Sequence, residues 1–233
     1  DNISLMAGSI NAVVSEGGEI LGAGGLIGQC RTDTSKGVDN RGIYITNIFN
    51  NITVYVSNSG RTSKWCSGII GRIRASNIAE LSDIINIARV TYETQRGYAI
   101  TSGDSKANSF KRIYYLTGTG EAYQNMGNAL TNDKMSAGDV NLSDKWSVEK
   151  GSYPLPSAVI DNKEFNILDL IIINYANGES AEGVKSNFKV PTKVAGKTVT
   201  WKSSDTSKIK INGENVTVYQ PDVGFAEVTL TAS

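Results

Sequence analysis

One ten-residue pattern occurs twice in this chain and constrains its fold more than any other feature. Ile45-Thr46-Asn47-Ile48-Phe49-Asn50-Asn51-Ile52-Thr53-Val54 and Leu81-Ser82-Asp83-Ile84-Ile85-Asn86-Ile87-Ala88-Arg89-Val90 run in parallel. Each has an apolar residue, a hydroxyl, Asn or Asp, two apolar residues and Asn, and closes on an alternating apolar pair. The offset, from position 45 to position 81, is 36 residues. A fainter copy runs from Ile3 to Ala12, offset by 42, and another from Phe110 to Thr119, offset by 29. A second motif is interleaved: Gly25-Leu26-Ile27-Gly28 returns as Gly68-Ile69-Ile70-Gly71 after 43 residues, with Gly97-Tyr98-Ala99-Ile100 as a decayed third copy. One such unit has too little apolar surface to bury alone, whereas stacked units share a continuous core. Glycines flanking a two-residue apolar step suit a sharp bend or a close approach of backbones. The expectation for residues 1–156 is a short, right-handed parallel β-solenoid with loops of different lengths leaving a common core.

The remaining segments fit an all-β chain. Gly, Asn, Ser and Thr punctuate short apolar stretches, and sustained helical periodicity is absent. Ala129 to Pro156, with Trp146 and Gly151-Ser152-Tyr153-Pro154-Leu155-Pro156, is expected to cap the open end of the stack. From residue 160 to 233 the pattern becomes that of a small β-sandwich. Its expected strands are Ile167–Ile173, Phe188–Pro191, Val199–Lys202, Ile209–Ile211, Val216–Tyr219 and Ala226–Ala232. The core picks by alternation are Val199, Trp201, Ile209, Ile211, Val216, Val218, Val228 and Leu230.

These residues carry resemblances. Ala23-Gly24-Gly25-Leu26-Ile27-Gly28 and Ser67-Gly68-Ile69-Ile70-Gly71 resemble the GLUG motif of bacterial surface proteins. Ala129-Leu130-Thr131, Met135, Leu142, Trp146, Gly151 and Tyr153-Pro154-Leu155 resemble the segment that closes such arrays. Residues from Phe165 to Ser233, through Val199-Thr200-Trp201-Lys202-Ser203-Ser204-Asp205 and the closing Ala226–Ala232, resemble an atrophied bacterial Ig-like domain. The resemblances imply a non-catalytic part of a longer, secreted or cell-surface, multi-domain bacterial protein. It would act as a stalk or adhesin whose partner is an extracellular glycan or a host protein. The alternative is an accessory carbohydrate-binding domain of a glycan-degrading enzyme. Ser67 stands where the first Gly of the second GLUG copy belongs.

Composition removes several chemistries. The chain has no histidine, so the Ser-His and Cys-His nucleophile systems and the commonest metal ligand are missing. Polysaccharide lyases and hydrolases on β-solenoids need clustered acids, and the repeat places Asp83 opposite Asn47 rather than stacking carboxylates. No enzymatic activity, no metal and no cofactor is expected. With 23 basic and 23 acidic residues the formal net charge is zero, and no nucleic-acid partner is expected. A local basic patch stays open through Arg72, Arg74 and Arg89. No apolar run approaches the ~20 residues of a membrane helix, so no membrane insertion is expected. Cys30 and Cys66 are too few for a disulfide scaffold. Stacking the glycine motifs sets Cys30 over Ile73, away from Cys66, so free thiols are expected.

The candidate binding residues are aromatic. Trp65, in the polar stretch Gly60-Arg61-Thr62-Ser63-Lys64-Trp65, either stacks on a sugar or protein partner or folds back over the end of a sheet. Tyr92, Tyr98, Tyr114 and Tyr115, with Tyr123, either form a sugar-binding strip or divide between core and sheet face. Asp33–Asn40 has oxygens at alternate positions like a calcium loop. It lacks the closing bidentate Glu and reads as a solvated loop.

Overall fold

The computed structural model describes residues 3–5, 9–14, 22–31, 43–58, 65–74, 78–92, 95–102, 109–161, 168, 171–173, 175 and 179–233. The oxygen-rich loop Asp33–Asn40, the Gly60–Lys64 approach to Trp65 and much of Ile167–Ile173 lie outside these residues. The chain packs as two units. One comprises Asp1–Thr131 with Val140–Trp146, the other Asn132–Asp139 with Ser147–Ser233.

The strands of the first unit are β1 (Ile3–Leu5), β2 (Ser9–Val14), β3 (Ala23–Gly24), β4 (Ile27–Arg31), β5 (Ile43–Asn50), β6 (Thr53–Asn58), β7 (Cys66–Ser67) and β8 (Ile70–Arg74). They continue with β9 (Ile78–Asn86), β10 (Val90–Tyr92), β11 (Gln95–Arg96), β12 (Phe110–Leu116) and β13 (Asn128–Leu130). Three ladders result. β1-β5-β9-β12-β13 is a five-stranded sheet, parallel throughout. β2, β6 and β10 pair in parallel, and β11 turns back antiparallel on β10. The glycine motifs build the third, β3 on β7 and β4 on β8, continued by parallel bridges from Ser67 to Tyr98 and from Tyr98 to Glu121. The chain visits the three ladders in turn before returning to the first.

Registers follow the sequence repeat closely in the middle of the unit. Ile45 pairs with Leu81, Leu81 with Phe110, and Ile27 with Ile70. Two registers differ from expectation. Ile3 pairs with Ile48, not Ile45. The third glycine-motif copy is displaced by two residues, because Ser67 bridges to Tyr98 and Ile70 to Thr101, so Ala99 rather than Gly97 stands next to Gly68.

Parallel strands covered on both faces carry consecutive apolar residues, and β5 and β9 supply them as Ile48-Phe49 and Ile84-Ile85. Ile48, Phe49, Leu81, Ile84 and Ile85 are fully buried. Each contributes roughly 1.5–3 kcal/mol through burial. Ile45, Ile48, Ile69, Ile70, Ile84 and Ile113 form one core. Val54, Val56, Cys66, Val90 and Tyr92 form another with Ala23.

The polar motif positions are equally fixed. Asn50 and Asn86 are wholly buried, and the Asn50 Nδ2 donates to Asn86 Oδ1 at 2.7 Å and to the Gly68 carbonyl at 3.0 Å. Asn50 Oδ1 accepts the Ile52 N–H at 3.1 Å, and Asn86 Oδ1 accepts the Ala88 N–H at 3.3 Å. Each Asn therefore turns its strand end and bonds to the rung beside it. This explains the glycines. A Cβ on Gly25 would overlap the Gly68 carbonyl and press on the Asn50 amide, and one on Gly68 would overlap the Ala99 carbonyl and the Asn86 amide. One rung on, Ala99 stands next to Gly68, and Tyr115 pairs with Asn86. Glycine and asparagine are thus replaced together.

In the second unit the sheets are small and antiparallel. Phe188–Lys189, Asn215–Val218 and Ile209–Asn212 form one, with Asn215–Val218 central. Lys193–Val194 and Lys197–Thr198 make a hairpin about Ala195 and Gly196, both at positive φ. Trp201–Ser203 pairs with Leu230–Ala232. Phe188, Val190 and Val216 are buried, with Trp201, Ile209, Ile211, Val218 and Leu230 packed on them. Val199 is also buried, whereas Val228 is only half-buried. The expected strand Ala226–Ala232 shrinks to Leu230–Ala232. Beyond Ser203 the Ser204 N–H still donates to the Thr229 carbonyl at 3.0 Å, but the Thr229 N–H goes to Ser204 Oγ, and the next residues turn on the Asp205 carboxylate. Val223 and Phe225 just upstream are nearly fully exposed. Residues 171–173, expected in a strand, have no regular structure. Two short helices, Asn132–Ser136 and Ser157–Ile160, also lie in this unit.

Candidate functional site

The third position of the repeat forms a column on the five-stranded sheet. Asn47, Asp83 and Arg112 occupy matched positions on β5, β9 and β12, and all three adopt positive φ, of 56°, 53° and 54°. A non-glycine residue there is uncommon, and Asn and Asp tolerate it best. Three in a row re-aim three polar side chains together. The segment Val140–Trp146 crosses this flank as a strap. Asn141 N–H donates to Tyr114 Oη at 2.9 Å, Ser143 N–H to Asp83 Oδ1 at 2.9 Å, and Trp146 Nε1–H to Asn47 Oδ1 at 3.1 Å. Three consecutive strands are thus tied by seven residues. Arg112 grips Asp83 bidentately, with both contacts at 2.7 Å. Burial raises the Asp83 carboxyl, but the Arg112 guanidinium and Ser143 outweigh it and leave the group below the usual carboxylate range. A carboxylate so paired is a structural anchor, unsuited to accepting a proton in catalysis. Trp146 is buried against this flank, whereas the sequence placed its segment over the open end of the stack. The Asn/Asp at the same motif position was the available signal.

The predicted aromatic residues separate. Tyr92 lies in the core with Val54 and Val90, and Tyr115 in the core with Ile84 and Ile113. Both rings are spent on packing, and burial raises the Tyr115 hydroxyl above its ordinary value. Tyr98 is half-buried on the third ladder, edge-on to Tyr123 at 5.0 Å between centroids. Tyr114 is half-buried under the strap. Tyr98 and Tyr123 are brought together as a ring pair. Trp65 immediately precedes β7 and is half-buried; its ring carries the Arg72 guanidinium at 3.8 Å from the centroid. The sequence signals Arg72 as part of a local basic cluster but not its contact with the Trp65 ring.

A polar cleft of about 230 Å³ opens beside the start of β12. Phe110, Lys111, Gln124, Asn125 and Asn128 line it, with Gln124 and Asn125 both at positive φ. Cys30 and Cys66 are free thiols, and Cys30 pairs with Ile73 as the stacked motifs require. Burial pushes the Cys66 thiol up to about 12 and raises Cys30 less far. Among the described residues no group of three His, Cys, Asp or Glu side chains is placed to hold a metal ion. No helix among them is long and apolar enough to cross a membrane.

No curated protein and no solved structure matches the chain. A family model does match its C-terminal part: residues 166–233 are similar to the atrophied bacterial Ig domain.

Proposed function

We propose that this chain is a non-catalytic architectural segment of a secreted or cell-surface bacterial protein, in which the first unit is a short parallel β-solenoid of GLUG-type coils and the second an Ig-like spacer. In this reading it is a stalk that presents neighbouring modules, and its exposed residues give it an adhesive surface. The carrying observation is what the fold does with its chemistry-bearing side chains. Tyr92 and Tyr115 fill cores, Asp83 is clamped by Arg112, and Asn50 and Asn86 bond across rungs. These groups hold a scaffold together, and none of them stands free as an acid–base pair. A bacterial Ig-like module beside it is consistent with a surface or extracellular segment. The accessory carbohydrate-binding alternative has the cleft beside Phe110 in its favour, because an aromatic edge ringed by amides suits a sugar.

The test places an epitope at the exposed Asn212-Gly213 turn of the native protein. Labelling on intact cells, or recovery from the medium, supports the reading; labelling only after permeabilisation overturns it. A panel of plant and host glycans incubated with the chain is expected to stay uncleaved. Turnover abolished by one Asp or Glu substitution refutes the non-catalytic assignment.

A further inference from the structure

The last strand of the five-stranded sheet covers only the end of its neighbour. β13 pairs with Tyr114, Tyr115 and Leu116, so among the described residues Phe110 to Ile113 of β12 have no strand on that side. The loop leading into β13 borders this gap, and together they enclose the cleft of about 230 Å³. Phe110 reports the consequence. Its register partner Leu81 is fully buried, as is Ile45 one rung further, whereas Phe110 is 38% exposed and lines the cleft. The loop contributes Gln124, Asn125 and Asn128, all exposed. Gln124 and Asn125 stand at φ of 49° and 60°. Six described non-glycine residues have positive φ, and three of them, these two and Arg112, line this one cleft. The strap and Asp83 account for the Arg112 column. Nothing comparable holds the loop pair, because neither Gln124 nor Asn125 makes a side-chain hydrogen bond among the described residues. Non-glycine residues in such conformations cluster at ligand sites, where side chains must be held in set directions. The two cations of the cleft are already paired: Lys111 Nζ lies 3.0 Å from Glu80 Oε1, and Arg112 grips Asp83 at 2.7 Å.

We propose that this cleft binds one or two rings of an uncharged sugar chain, with Phe110 against a ring and the amides of Gln124, Asn125 and Asn128 on its hydroxyls. The proposal rests on the adhesive surface read above and gives it a location and a ligand class. An amide offers two donors and an acceptor, and a sugar hydroxyl both donates and accepts, so three amides satisfy neighbouring hydroxyls in either sense. The carbon face of a sugar ring is apolar and packs on an aromatic ring. Neutral ligands are favoured because the charges are taken. An anion has to displace Glu80 from Lys111 or Asp83 from Arg112, and the second of these is a bidentate pair. A cation meets no carboxylate among the residues that line the cleft. Pockets for drug-sized ligands run to about 300–1,000 Å³, so a cleft of about 230 Å³ suits a ring or two and not a longer segment. The left-handed loop presents its amides in place, which lowers the ordering cost of binding.

The test records NMR spectra of the full chain during titration with cellobiose, mannobiose, lactose, digalacturonate and inorganic phosphate. At least one neutral disaccharide is expected to bind and to shift the side-chain amides of Gln124, Asn125 and Asn128 and the Phe110 ring. The Gln124→Gly/Asn125→Gly variant removes two amides, and glycine accepts the left-handed backbone, so the variant is expected to fold as before. It should lose at least about tenfold in affinity, as for two net hydrogen bonds. Phe110→Ala should lose a similar factor. Tyr219→Ala, which removes an exposed aromatic ring from the second unit, should retain full affinity. Epitope labelling reads where the parent protein sits and this titration reads the cleft, so the two readings fail separately. Should a cleft variant fail to fold, the wild-type shifts decide: shifts gathered at the cleft support the site, and shifts gathered at Trp65 or at Tyr98 and Tyr123 overturn it. No neutral disaccharide bound, digalacturonate or phosphate bound as tightly, or equal losses in the cleft variants and Tyr219→Ala also overturn it.

Discussion

Replacing Asn50 by Ala tests whether the asparagine column locks neighbouring rungs together. The side chain is wholly buried and makes bonds to Asn86 Oδ1 at 2.7 Å, to the Gly68 carbonyl at 3.0 Å and from the Ile52 N–H at 3.1 Å. Two of the groups it leaves keep other partners: Gly68 O accepts the Gly25 N–H at 3.0 Å, and Asn86 Oδ1 accepts the Ala88 N–H at 3.3 Å. The Ile52 N–H has no other hydrogen-bond partner among the described residues. Two net hydrogen bonds at about 1 kcal/mol each, plus a stranded donor at about 1 kcal/mol or more, give a loss of about 3 kcal/mol. For a chain of this size that lowers the melting temperature by about 10 °C. Asn50→Asp is expected to be worse than Asn50→Ala. It keeps an acceptor for Ile52 but turns a buried charge towards the Gly68 and Asn86 oxygens. Urea unfolding followed by tryptophan fluorescence reads both variants, and Asn86→Ala closes a double-mutant cycle with a coupling of about 1 kcal/mol. A loss below about 1 kcal/mol for Asn50→Ala, or Asp tolerated better than Ala, refutes the rung-locking role.

Two further outcomes follow from the perturbed groups. Arg112 and Ser143 hold the Asp83 carboxyl low in the folded chain, against the effect of burial. Its stabilisation is therefore present above the ordinary aspartate value of about 3.9 and is lost as pH falls through the lower folded value. Between about pH 5 and pH 2, wild-type stability should fall more steeply than that of Asp83→Asn in urea titrations; parallel slopes would falsify the clamp. Cys66 is wholly buried with its thiol pushed up to about 12, while Cys30 is half-buried. Iodoacetamide at about pH 8 should therefore label Cys30 slowly and Cys66 only after unfolding. Equal labelling of both in the native chain, read by peptide mass mapping, sinks that placement.

The repeat was legible where its polar positions were complete. Asn50 and Asn86 close the two strongest copies, and those copies pair in the register the motif demands. The N-terminal copy lacks that closing asparagine pattern, and its apolar residues alone left the register open: Ile3 sits on Ile48, three residues from its expected partner. Alternating apolar residues specify which face is buried, whereas a side chain that must bond to one particular neighbour specifies position along the strand. The third glycine copy shifted for a related reason. Its first glycine, Gly97, packs against Cys66 and Val90, while Ala99 takes the place next to Gly68. The aromatic candidates were less readable. A tyrosine in an alternating stretch is equally suited to a core or a face, and only the stack decides that Tyr115 points in while Tyr114 meets the strap.

The column Asn47–Asp83–Arg112 shows how one motif position serves two purposes. Paired in the sheet, each residue adopts a left-handed conformation that an ordinary strand avoids. The strain recurs on three strands, so the strap must return more than one local contact for it. It does so by spanning three rungs, with Tyr114, Asp83 and Asn47 each taking a hydrogen bond from a different residue of Val140–Trp146. Rungs in a stack otherwise touch only their nearest neighbours, and their stability is close to a sum of nearest-neighbour interfaces. A strap bonded to β5, β9 and β12 adds coupling beyond nearest neighbours, so β5 and β12 resist separation from β9 as a set. Arg112 reinforces the same coupling from within, because its bidentate grip on Asp83 joins two of the three strands beneath the strap.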